Sequence, residues 1–199
     1  MSHHLYQSDG FVLGNYPKGE ASSLLPLFTR ELGLVLVSAQ GLRHLKSKLR
    51  YSTQAFTLGH FALVRGKEVW RLTGAEAQFQ FSSWRSRADQ RFNFWARLFK
   101  LLSRLLHGEE KNEALFDLLC QTLEFCQRTE HFTAKEIKSL ETLSVLRILK
   151  ALGYWRAPQA ELIEFGEHNE LSVEILEKFL PYNSRAVLAV NEALKESQL

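Results

Sequence analysis

A chain of 199 residues, 45% hydrophobic and 24% charged with only four prolines, can bury a real core and is neither disordered nor collagen-like in composition. No apolar run approaches the roughly 18 to 20 residues that span a bilayer, so no membrane-spanning segment is expected. The formal net charge of +3 hides a division: residues 1–40 carry −1, residues 41–107 carry thirteen Lys/Arg against Glu68, Glu76 and Asp89 for +10, and residues 108–199 carry −6. A clustered cationic surface attracts a polyanion and displaces its counterions, although a lone basic run is more often a solvated face.

Taken in chain order, the first part alternates in the manner of strands. "GFVLGNY" reads as a strand, "YPKGEAS" as a turn or bulge, "SLLPLFTR" as a second strand, "ELG" as a tight connection and "LVLVSAQ" as a third strand. Pro26 places the second strand at an edge or at a bulge, because proline cannot donate to a ladder. The basic stretch "AQGLRHLKSKLR" follows. Then "FTLGHFALVR", "GKEVWRLTGAEAQ" and a continuation in "FQFSS" form a hairpin turning at Arg65, Gly66 and Lys67. About five strands in some eighty residues suit a small coiled barrel better than a sandwich, which needs about seven.

The period then changes. "DQRFNFWARLFKLLSRLLHG" sets Phe92, Trp95, Phe99, Leu102 and Leu106 at helical spacing and ends at Gly108. "EALFDLLCQTLEFCQR" and "AKEIKSLETLSVLRILKALG" read as two more amphipathic helices. Short helices follow in "LSVEILEKFL" and "SRAVLAVNEALKE", the latter with Ser184 as N-cap. The domain boundary is expected near residues 82–89. Cys120 and Cys126, the only cysteines, read as buried thiols in a reducing compartment, and no metal site or cofactor is expected. The N-terminal segment lacks the charged and apolar regions of a secretion signal, so a cytoplasmic location is expected. There is no G-x-S-x-G, no Walker-type loop, no H-E-x-x-H and no carboxylate cluster at catalytic spacing, so the chain is not read as an enzyme.

The order of elements in residues 11–50 resembles the N-terminal domain of the bacterial RecO family of DNA repair and recombination mediators. The resemblance rests on a first strand, Gly19-Glu20, "FTRELG" (Phe28 to Gly33), and Ala39-x-Gly41 followed by the basic Arg43, Lys46 and Ser47. "VLRILKALGY" is similar to a late helix of the same family. The resemblance implies an N-terminal five-stranded OB-fold barrel over residues 1–82 and an all-α helical domain over residues 83–199. It also implies a protein without turnover that binds single- and double-stranded DNA and anneals complementary strands. Its implied partners are RecR and single-strand binding protein (SSB), with RecA loaded indirectly, and its location is nucleoid-associated. Many members carry a four-cysteine zinc element after the Leu-Gly-Tyr helix. Here "WRAPQAELIEFGEHNELS" has no cysteine, so no zinc finger is expected and the stabilisation of that segment stays open. The chain is also short for the family, which implies trimmed loops in the helical part.

An OB barrel binds nucleic acid through phosphate-contacting cations and aromatic faces. Arg43, Lys46, Lys48 and Arg50 are the first candidates, with Arg65, Lys67 and Arg71 on the later hairpin. Tyr51, Phe56 and Trp70 lie nearby, but Phe56 and Trp70 read as barrel core. Arg97, Lys100 and Arg104, at i, i+3 and i+7, make a cationic stripe that is either a DNA contact or a solvated helix face. From the resemblance, Arg128, Arg147, Lys150 and Arg156 are candidate rim cations of a pocket for the acidic SSB tail. The competing function is a protein-interaction adaptor whose barrel has no physiological DNA binding; a nuclease is disfavoured by the missing metal ligands.

Overall fold

The computed structural model describes residues 4–42, 49–86, 89–155, 160–167 and 170–196. Packing divides the chain into two compact units, Met1–Arg85 with Trp95–Glu113, and Ser86–Phe94 with Ala114–Leu199.

The first unit contains β1 (Leu5–Val12), β2 (Tyr16–Lys18), β3 (Ser22–Thr29), β4 (Gly33–Ala39), a one-turn helix α1 (Leu49–Ser52), β5 (Thr57–Val64) and β6 (Trp70–Gln80). The strand order is β1-β5-β6-β4-β3, and β1 also pairs with β3, which closes a five-stranded barrel. All pairings are antiparallel except β4 with β6, a short parallel seam of Val37 with Trp70 and Ser38 with Arg71. Three meandering strands, a parallel return and a closing hairpin make this an OB-fold barrel. Alternation fills it: Val35, Val37 and Ala39 of β4 face inward with Leu25, Leu27, Phe61 and Leu63, while Leu36 is exposed.

Three details depart from the sequence reading. The first strand starts at Leu5, ahead of "GFVLGNY", because Leu5 to Phe11 pair continuously with β5. Within the expected turn, Tyr16–Lys18 pair with Leu24, Ser23 and Ser22 as a small extension beside β3. Pro26 is neither at a sheet edge nor in a bulge of β3. It lies where β3 changes neighbour, between its pairing with β2 at Leu24 and with β1 at Leu27. The Pro26 carbonyl accepts the Leu13 N–H at 2.9 Å. In an extended strand N and O of one residue point the same way, so the missing N–H faces this changeover and interrupts no β4 bond.

After β6 a 3-10 turn (Phe81–Trp84) leads on to α2 (Arg91–Leu105). From Trp95 onward α2 belongs to the barrel unit. Trp95 and Phe99 pack on Phe81 at 4.7 and 5.1 Å between ring centroids, and on Phe11 at 6.5 and 5.9 Å. Phe56 joins this cluster, stacking on Phe99 at 5.3 Å from a left-handed backbone (φ 64°) whose N–H bonds the Val12 carbonyl.

The chain after α2 returns to the barrel. Gly33, at φ 70°, faces the Glu110 backbone so closely that a Cβ would strike its carbonyl. Gly33→Ala adds left-handed strain to that collision, so a loss of about 2 kcal/mol or more is expected in chemical denaturation. A midpoint equal to that of the parent would contradict this reading.

The second unit holds α3 (Glu113–Arg128), α4 (Ala134–Ala151), α5 (Ala160–Glu167), α6 (Val173–Phe179) and α7 (Asn183–Glu196), with the first residue of α3 assigned by packing to the barrel unit. At its start, Arg91 chelates Asp89 and donates to the Cys126 and Thr129 carbonyls at 2.9 and 3.2 Å. Burial works to raise the Asp89 pKa, but the Arg91 bonds and charge outweigh it and hold the carboxyl below its ordinary range. Ser184 does not cap α7. A 3-10 turn with Pro181 at its start joins α6 to α7, so Asn183 and Ser184 are already helical. Cys126 is buried and Cys120 half-buried. Among the described residues no helix is long and apolar enough to cross a membrane, and no three His, Cys, Asp or Glu side chains gather as metal ligands.

Candidate nucleic-acid interface

OB barrels bind oligonucleotides on the outer face of their second and third strands and on the loops joining strands one to two and four to five. In this barrel that face is β3 and β4, and the loops are residues 13–21 and 65–69. Outward-facing Pro26, Leu34 and Leu36 line a shallow hollow of about 350 Å³ with Trp70 and Glu109. The flanking loops carry Lys18 and Tyr16, the latter 56% exposed, on one side and Arg65 and Lys67 on the other. Arg71 is exposed beside Ser38 at the β4–β6 seam. Tyr16 and Lys18 are not among the sequence candidates, because "NYPKGE" reads as a turn whose place between the first two barrel strands only the fold shows.

The predicted cations separate into groups. Arg43, Lys46 and Lys48 lie outside the described residues. Arg50 is exposed on α1 beside Tyr51, 61% exposed, whose carbonyl accepts from Gln80 at the far end of β6. Arg65, Lys67 and Arg71 cluster at the opposite end of that eleven-residue strand, about 30 Å away along the chain. Arg97, Lys100 and Arg104 are exposed on α2, on the side opposite the Trp95 and Phe99 packing. Trp70 is only 3% exposed and Phe56 packs in the aromatic cluster, so neither offers a free stacking face. Arg65 lies over the Trp70 ring at 5.4 Å, and its guanidinium is 3.4 Å from Glu109.

The barrel residues also carry the family signal. Residues 1–81 match the family model described as "Recombination protein O N terminal". The chain is 31% identical over 150 residues to the DNA repair protein RecO of Alkaliphilus metalliredigens, covering 75% of this chain and 58% of that protein. The chain belongs to the RecO family. RecO of Rubrobacter xylanophilus is 32% identical over 126 residues, 63% of this chain and 50% of its own length. RecO of Synechocystis is 37% identical over 76 residues, 38% of this chain and 28% of its own length. This chain thus spans between about a quarter and three fifths of these RecO relatives.

The four cations considered for a partner pocket have different fates. Arg128 is exposed, bonds Glu124 at 2.9 Å and borders a cleft of about 470 Å³ with Phe125, Leu171 and Glu170. Arg147, expected at a rim, is 3% exposed; its Nε donates to the Phe165 carbonyl at 3.0 Å and its Nη2 to the Glu170 carbonyl at 3.1 Å. Burial pushes its pKa down to about 10, which leaves it charged at neutral pH. Lys150 donates to the Gly166 carbonyl at 3.2 Å, and Arg156 lies outside the described residues. Arg147 and Lys150 therefore tie α5 and the chain entering α6 to α4, within the cysteine-free segment whose stabilisation the sequence left open.

Proposed function

We propose that this RecO-family chain is a non-enzymatic recombination mediator that binds single- and double-stranded DNA and anneals complementary strands. The observation that carries the reading is an OB barrel whose β5–β6 loop and β6 start lie in the +10 third of the chain and flank the β3–β4 face with Arg65, Lys67 and Arg71. DNA binding is assigned to residues 1–82, including Arg43, Lys46, Lys48 and Arg50, and to the Arg97, Lys100 and Arg104 face of α2. Phosphate neutralisation holds two strands without reading their sequence, which raises their local concentration and lets complementary bases pair. The helical part that follows α2 is assigned the contact with the acidic tail of single-strand binding protein, at the cleft beside Arg128, and RecR is a further partner. Through these the chain helps load RecA on coated DNA in a cytoplasmic, nucleoid-associated setting.

The test is fluorescence strand annealing and single-strand binding across a salt series, with and without single-strand binding protein. The expected log-log slope is about −0.7 per phosphate contact, and replacing Arg43, Lys46, Lys48 and Arg50 with alanine is expected to weaken binding and flatten the slope. Negligible oligonucleotide affinity at moderate salt would favour the interaction-adaptor reading instead.

A further inference from the structure

Resting on the DNA-binding reading above, we propose that Glu109 is a built-in competitor of DNA phosphate: its carboxylate occupies, on the barrel itself, the donors that a DNA backbone would use. The segment after α2 is fixed against the barrel. Leu106 is buried, Gly33 abuts the Glu110 backbone, and Lys111 bonds Glu31 at 3.2 Å and Glu113 at 2.6 Å. This anchorage delivers Glu109 to the hollow on the β3–β4 face.

There, one carboxylate engages two donors. Glu109 Oε1 accepts from the Trp70 indole N–H at 2.9 Å, and Oε2 lies 3.4 Å from Arg65 Nη2. Arg65 is simultaneously poised over the Trp70 ring. A guanidinium recognises carboxylate and phosphate oxygens through the same fork of N–H donors, so a backbone phosphate can replace the carboxylate at Arg65 and accept from Trp70. The pair is displaceable by its exposure: the side chains of Arg65 and Glu109 are 66% and 42% exposed, a regime in which ion pairs are weak and screened by salt. DNA, which gains counterion release on contact, competes successfully at low salt, whereas a short or weakly charged ligand does not. The hollow thus selects for polyanions over isolated anions.

Glu109→Gln keeps an acceptor for Trp70 while removing the charge. We expect its single-strand affinity to rise about three- to tenfold at low salt, with the slope steeper by about 0.7, one phosphate contact. Glu68→Gln removes an equal charge from the rim of the same hollow and is the control for general repulsion. Equal gains in the two variants would overturn the proposal. So would a Glu109→Gln gain that persists in the Arg65→Ala background, since coupling through Arg65 is the claim. In the wild type, the Trp70 indole N–H resonance is expected to shift on DNA addition, and an unmoved signal at saturation also counts against displacement. If Arg65→Ala weakens binding while Glu109→Gln changes nothing, the competitor fails and the DNA reading stands. If the wild-type chain binds no DNA, both fall.

Discussion

Arg147→Ala is expected to destabilise the helical unit by about 3 kcal/mol, lowering its melting temperature by about 10 °C or more at the usual 4 to 8 °C per kcal/mol for a domain of this size. The guanidinium is almost fully enclosed and supplies donors to two carbonyls from different segments, Phe165 in the last turn of α5 and Glu170 ahead of α6. Truncation leaves both carbonyls short of a partner, at about 1 to 3 kcal/mol each when solvent cannot replace the donor, and opens a cavity beside α4. The surrounding contacts soften the loss without abolishing it: Phe165 still packs on Phe179 and Tyr182 at 5.2 and 5.6 Å, and Lys150 still holds Gly166. Lysine restores only part of the stability, because one ammonium lacks the planar fork that reaches both carbonyls. Hydrogen exchange localises the effect: amides of α5 and α6 lose protection while those of β1 and β5 keep theirs. A variant melting within about 2 °C of the parent would show that the carbonyls find other donors.

Trp95→Ala is expected to cost about 3 to 5 kcal/mol, the range for deleting a fully buried large aromatic. Trp95 has no exposed surface and touches Phe81, Phe11 and Phe99. Helix propensity runs the other way, since alanine favours a helix over tryptophan by a few tenths of a kcal/mol. A measured loss therefore reports packing and not the helix itself. Urea denaturation should show a lower midpoint, and Trp95→Phe should recover a substantial part of the difference by refilling the space. An alanine variant as stable as the parent would mean that α2 is dispensable for the barrel unit.

The helices and strands were readable to different depths. "EALFDLLCQTLEFCQR" forms α3 from its first residue to its last, since a wide 3.6-residue stripe bounded by turns admits little else. Helix α5 shows in the sequence only through acids at the spacing of a solvated helix face, while Leu162 and Phe165 carry its packing. Among the candidate site residues, the exposure of Arg65 and Lys67 follows from the hairpin turn, and that of Arg71, Arg97, Lys100 and Arg104 from their positions opposite apolar neighbours. The burial of Arg147 does not: in "VLRILKALGY" it has the same local appearance as an exposed helical cation.

By itself the sequence determined the two periods, the helical stripes and the concentration of positive charge in the middle third. These are local properties, governed by side-chain alternation and by spacing along one element. Only the tertiary structure decided that β4 runs parallel to β6, that Pro26 sits where β3 exchanges neighbours, and that Arg147 faces inward. It also decided that Glu109 meets Arg65 and Trp70 across some forty residues of chain. Pairings of that kind depend on which distant segments close on one another, and a charge is drawn into a core only where the fold supplies the carbonyls to receive it.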